Sequence, residues 1–149
     1  MIEGVVLTPL KIISGDSGDV LHAMKQTEPS FHGFGEAYFS TINQGAIKAW
    51  KRHHKMTLNL VVPSGEIKFV LFDERSDSPT YGEINEFTLS LQNYQRLTVP
   101  PMVWLGFKGS GKGLNMLLNV SNIPHDPDEY DRIDAYKNHI DFQWNQDST

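Results

Sequence analysis

The sequence predicts an all-β fold, a sandwich or barrel, on three observations. Short runs of alternating or β-rich residues recur along most of the 149 residues, and clusters of Gly, Pro, Asn, Asp and Ser separate them. No long stretch carries the period of an amphipathic helix. The length suits one domain, residues 1–149, with a single core.

Taken in order, the runs are Val5–Leu7, Val20–Met24, Glu36–Thr41, Thr57–Val62, Ile67–Asp73, Ile84–Leu89, Gln95–Val99 and Asn115–Ser121. Each is rich in branched or aromatic side chains, which suit a pleated, half-buried surface. Turn chemistry divides them: SGDSGD at 14–19, NQG at 43–45, PSGE at 63–66, DERSDSPTYGE at 73–83 and the Pro pair at 100–101. Thr57–Val62 and Ile67–Asp73 read as a hairpin across PSGE, because Pro63 and Gly65 interrupt both alternations. Near 126–133 a short helical turn is expected, with Asp126 as its cap and Pro127 in its first position. Beyond Ile133 the chain turns polar, and 145–149 are expected to fray.

Composition narrows the function. A formal charge of -5 does not suit a general nucleic-acid binder, whose phosphate contacts need surplus Lys and Arg. No segment approaches the roughly 20 apolar residues of a membrane helix, and the first residues lack the basic start and apolar centre of a signal peptide. A soluble cytoplasmic protein is therefore expected. Cysteine is absent, so disulfides, thiolate metal sites and a cysteine nucleophile are excluded.

Chemistry concentrates in IKAWKRHHK, residues 47–55. His53 and His54 are adjacent and point to opposite faces of a strand, and Lys51, two residues before His53, would repel a cation; a metal is not expected here. Alternation instead brings Lys51 and His53 to one face, with Lys48 off that face by parity unless the chain bends. Three readings stay open: a solvated basic turn, an anion site for a pyrophosphate, or proton chemistry by His53 or by a lysine made less basic by its neighbours.

The order GEAYFSTINQGAIKAWKRHHKMTLNLVVPSGEIKFVLFDERSDSPTYGE, LTVPPMVWLGFKG and NVSNIPHDPDEYDRID resembles the dTDP-4-dehydrorhamnose 3,5-epimerase family of the cupin superfamily, from about Val5 to Trp144. It is most similar to a short bacterial branch grouped with nucleotide-sugar epimerases and ketoisomerases. The resemblance implies a cupin jelly roll, or double-stranded β-helix, and a homodimer. It implies a cofactor-independent, metal-free epimerase or isomerase of a nucleotide-linked 4-keto-6-deoxy sugar, with dTDP the expected nucleotide, in the making of surface polysaccharide such as lipopolysaccharide.

On this resemblance Lys51 stands where the epimerases carry their proton-abstracting His, His53 matches the second His of an HxH pattern, and Lys48 stands near the pyrophosphate. Three family groups are replaced: the acid Tyr by the region Leu117–Asn119, a His by Leu105, and a phosphate-holding Arg by Ser17. The resemblance therefore leaves two functions in play: an enzyme using Lys51 or His53 on the proton next to the ketone, or a non-catalytic cupin that binds a nucleotide sugar. An acid facing Lys51 would separate them, and the sequence identifies none.

Further candidates for substrate contact are Arg75 for phosphate, Glu36, Asn59 and Asn119 as inward polar groups, and Trp104 as an aromatic wall. Trp50 and Tyr38 could also line a pocket, with core filling the favoured reading for Trp50. His125 stands among Asp126, Asp128, Glu129 and Asp131, which a capped turn accounts for. FKGSGKG at 107–113 lacks the Lys-Ser/Thr ending of a phosphate loop and reads as a hairpin tip.

Overall fold

A computed structural model describes residues 1–144. The strands are β1 Val6–Pro9, β2 Ile12–Ile13, β3 Val20–Leu21, β4 Glu36–Thr41, β5 Ile47–His53, β6 Leu58–Ser64, β7 Glu66–Asp73, β8 Ile84–Ser90, β9 Gln95–Val99, β10 Val103–Gly109, β11 Met116–Ser121 and β12 Tyr130–Arg132. Two five-stranded antiparallel sheets carry the architecture, one in the order β1-β9-β6-β11-β4 and the other β12-β5-β10-β7-β8. Consecutive strands repeatedly change sheet, as in a jelly roll. Among the described residues there is no α-helix, so none is long and apolar enough to cross a membrane.

Alternation explains the main core. Leu58, Leu60 and Val62 of β6 and Ile67, Phe69 and Leu71 of β7 share it with Leu97, Leu105 and Leu117. The opposite face of the second sheet is also covered, since Val70 and Trp104 pack with Trp50, Ile140 and Trp144 in a separate buried cluster. The segment after Ile133, polar on average, thus contributes apolar side chains that lie across this outer face. Trp50 meets Trp144 at 5.3 Å between ring centroids and Phe142 edge-on at 6.2 Å.

Three expectations are corrected. β6 and β7 do not pair with each other: β6 lies between β9 and β11, and β7 between β8 and β10, so PSGE turns a corner between sheets. Gly65 makes that corner with φ 79°, and Asn115 Oδ1 accepts the Glu66 amide at 2.9 Å just beyond it. The 126–133 segment makes a turn, in which Asp126 Oδ1 accepts the Asp128 amide at 2.9 Å, and then the strand β12 on β5. Ladder pairing there replaces the expected helical continuation. β10 lies where no run was expected, because Val103, Trp104 and Leu105 are all buried and the two-residue alternation disappears. The expectation for 145–149 falls outside the described residues.

One irregularity positions the site. Leu105 is opposite Lys51 and Phe107 opposite Lys48, so Ala49 and Trp50 together face the single residue Gly106. This bulge reverses the parity of β5. Lys48 consequently shares an inner face with Lys51 and His53, while Arg52 and His54 face outward. A side chain at Gly106 would bring a Cβ to 2.6 Å from the Ala49 Cβ and 2.8 Å from the Trp144 ring. Gly106→Ala is therefore expected to cost about 1–3 kcal/mol through overpacking, measured by urea denaturation.

Candidate active site

A cavity of about 400 Å³ opens between the sheets. Its first wall carries Tyr38 of β4 and Leu117 and Asn119 of β11; its second carries Lys48, Lys51 and His53 of β5 with Arg132 of β12, and Leu105 and Phe107 close its floor. The sheet geometry thus sets the basic groups of one sheet against a phenol from the other.

His53 Nδ1 is hydrogen-bonded to Glu129 Oε1, and the other carboxylate oxygen accepts the backbone amides of Lys55 at 3.0 Å and Met56 at 3.2 Å. Glu129 is 5% exposed, so this one carboxylate satisfies three donors in a nearly dry setting. Burial pushes the Glu129 carboxyl up, but the His53 ring and the two amides outweigh it and hold the group below the ordinary carboxylate range. Burial likewise lowers the His53 pKa, against the opposing pull of Glu129, and Lys51 and His125 lower it further. A neutral His53 that donates from Nδ1 keeps Nε2 as a free acceptor, the form a general base needs.

Lys51 is half-buried, with Nζ 4.4 Å from the centroid of the Tyr130 ring and Arg132 opposite it in the β-ladder. Burial and the Arg132 charge lower its pKa, while Glu129 acts the other way. Lys48 Nζ donates to the Thr41 carbonyl at 2.8 Å at the cavity's edge. Across the cavity Asn119 Nδ2 donates to Tyr38 Oη at 3.0 Å, which leaves the phenol's own proton available to another acceptor. Burial raises the Tyr38 pKa and the Asn119 contact only partly offsets it, so the phenol is held protonated.

The structure brings together Lys48, Lys51, His53 and Asn119 of the residues expected from the sequence. It does not bring Glu36, Asn59, Arg75 or Trp104 to this cavity. Asn59 is buried between the Ser30 carbonyl and the Thr98 hydroxyl. Arg75 doubly engages Asp73 and donates to the Glu3 carbonyl. Trp104 lies on the outer face, its indole N–H on Glu74 at 2.7 Å and its ring under Arg52. Glu36 begins β4 beyond the cavity wall, where its backbone carbonyl accepts the Ser121 hydroxyl.

Sequence reasoning missed Glu129, Arg132 and the acid role open to Tyr38. A buried glutamate separated from His53 by 76 positions leaves no local signal, although a glycine inside the VWLGFKG run does announce a bulge.

The family model described as dTDP-4-dehydrorhamnose 3,5-epimerase matches residues 1–149. The chain belongs to that family. It is an epimerase-type isomerase of nucleotide-linked sugars. Among relatives of this family member is the spore coat polysaccharide biosynthesis protein SpsL of Bacillus subtilis, 31% identical over 147 residues and 97% of each chain. Another is a probable low-salt glycan biosynthesis epimerase of Haloferax volcanii, 34% identical over 113 residues, 73% of this chain and 72% of the relative. The crystal structure of a dTDP sugar isomerase from Desulfovibrio desulfuricans G20 superimposes with a TM-score of 0.93 at 40% identity, covering 97% of this chain and 92% of that one.

Glu129 contributes stability through its lowered pKa, so that contribution is present above the ordinary carboxylate value and lost as pH falls through the folded-state value. Glu129→Gln is expected to be less stable than the parent by about 1–3 kcal/mol at neutral pH. The gap narrows as pH falls below the ordinary carboxylate range, as urea denaturation over a pH series would measure.

Proposed function

We propose that the protein epimerises or isomerises a dTDP-linked 4-keto-6-deoxy sugar by exchanging the proton alpha to its ketone. The observation that carries this reading is the cavity's two-sided chemistry, with the His53–Glu129 pair on one wall and the Asn119-bonded Tyr38 on the other. His53 Nε2 removes the alpha proton, and Glu129 steadies the imidazolium that forms. Tyr38 supplies a proton from the opposite side of the ring, the acid that the region Leu117–Asn119 lacks. Lys51 stands beside His53, where its nitrogen can meet the ketone.

The remaining cations fit the nucleotide. Lys48 and Arg132 line the same cavity and suit the pyrophosphate oxygens, for which charge-assisted bonds are about twice as strong as neutral ones. Leu105, Phe107 and Leu117 offer an apolar floor for a deoxy sugar's methyl group. A cytoplasmic homodimer is the form this reading takes. The edge strand β4, with Phe39 64% exposed, suits a second copy.

Nuclear magnetic resonance in D₂O with dTDP-4-keto-6-deoxyglucose tests the reading. Deuterium is expected at a carbon flanking the ketone, with exchange reduced about 10²-fold or more in His53→Asn. Tyr38→Phe is expected to slow product formation more than deuterium uptake, because it removes the returning acid. Saturable binding with no exchange would instead support a binding protein.

A further inference from the structure

One of the positive groups on the basic wall is unlike the others. Lys48 donates to a carbonyl, Arg132 brings a planar guanidinium suited to phosphate, and Arg52 is paired outside with Asp131 and Glu74. Among the described residues no carboxylate pairs with Lys51, whose amine contacts only the Tyr130 ring and shares the cavity with Leu105, Phe107 and Leu117. The groups facing it are Arg132, which opposes its charge, Glu129, which favours it but is spent on His53 and two amides, and the Tyr130 face. A lysine desolvated beside another cation is the kind that becomes a nucleophile toward carbonyl carbon.

We propose that Lys51 forms an imine with the ketone of the substrate, so that the proton taken by His53 is alpha to an iminium carbon. This inference rests on the epimerase reading and gives its second basic residue a covalent role. The neutral Lys51 amine attacks the keto carbon, forming the C–N bond while the carbonyl π electrons move to oxygen. Proton transfers from nitrogen to oxygen, and a second proton, taken up from solvent and returned to it on hydrolysis, lets that oxygen leave as water and leaves a protonated imine. His53 Nε2 then takes the alpha proton, and the C–H electron pair forms the enamine as the iminium nitrogen is neutralised. Return of a proton to that carbon and addition of water restore ketone and free lysine, so no oxidant, reductant or further reactant enters. An iminium withdraws electrons more strongly than a ketone, and Arg132 remains for the phosphate oxygens.

The test is reductive trapping: the protein is incubated with dTDP-4-keto-6-deoxyglucose and sodium cyanoborohydride, and the adduct is located by peptide mass spectrometry. An adduct on Lys51 is expected, absent from Lys51→Arg, which retains the charge but loses most deuterium exchange. His53→Asn is expected to keep the adduct while losing exchange. A parent protein that exchanges deuterium without forming an adduct, or a Lys51→Arg variant that exchanges as fast as the parent, would overturn the imine and leave the epimerase reading intact. An adduct on Lys51 without exchange overturns that reading and, with it, the part given to the imine in proton transfer. Neither adduct nor exchange with ligand bound overturns both.

Discussion

The contact between His53 and Glu129 is the interaction on which the site depends. It joins the last residue of β5 to the residue before β12, and the same carboxylate caps the amides of Lys55 and Met56 as the chain leaves β5. One buried group therefore closes a backbone turn, holds the edge strand that carries Arg132, and orients an imidazole. Burying a charge without such partners would cost several kcal/mol, and leaving either amide unmet would cost about 1–3 kcal/mol more. Structural and chemical roles coincide in Glu129 because both need a carboxylate with no water to compete for it.

The second constraint is the bulge opposite Gly106. A regular β5 would put Lys48 on the outer face with Arg52, and the cavity would lose a cation at its edge. The extra residue also places Ala49 and Trp50 where the C-terminal segment covers them, so the inner site and the outer tryptophan cluster share one cause. The outer polar network follows from the same division: Arg52 pairs with Asp131 and Glu74, while His54 pairs with Asp131. A stretch that looks like one basic patch in the sequence is thus two surfaces back to back.

Much of the fold was legible in the residues. Strands such as Glu36–Thr41 and Gln95–Val99 show themselves by β-rich composition between turn residues and appear in the structure within those bounds. β10 was hidden because both its faces are covered, which erases the period. The pairing of β6 was misjudged because local turn chemistry marks where a strand stops and says nothing about which sheet the next one joins. In the site, Lys51 and His53 were found by parity, and Lys48 required a bulge that parity cannot see. Glu129 was assigned to a cap, and it does accept backbone amides; they belong to Lys55 and Met56, just beyond the end of β5, rather than to a helix of its own.

The chemistry of the site rests most directly on the protonation state of one ring. Long-range proton–nitrogen correlation spectra of the ¹⁵N-labelled protein at neutral pH, with His53 assigned by its loss in His53→Asn, would read it. The account predicts a neutral imidazole with its proton on Nδ1 and a bare Nε2. A proton on Nε2, or a doubly protonated ring at neutral pH, would contradict it.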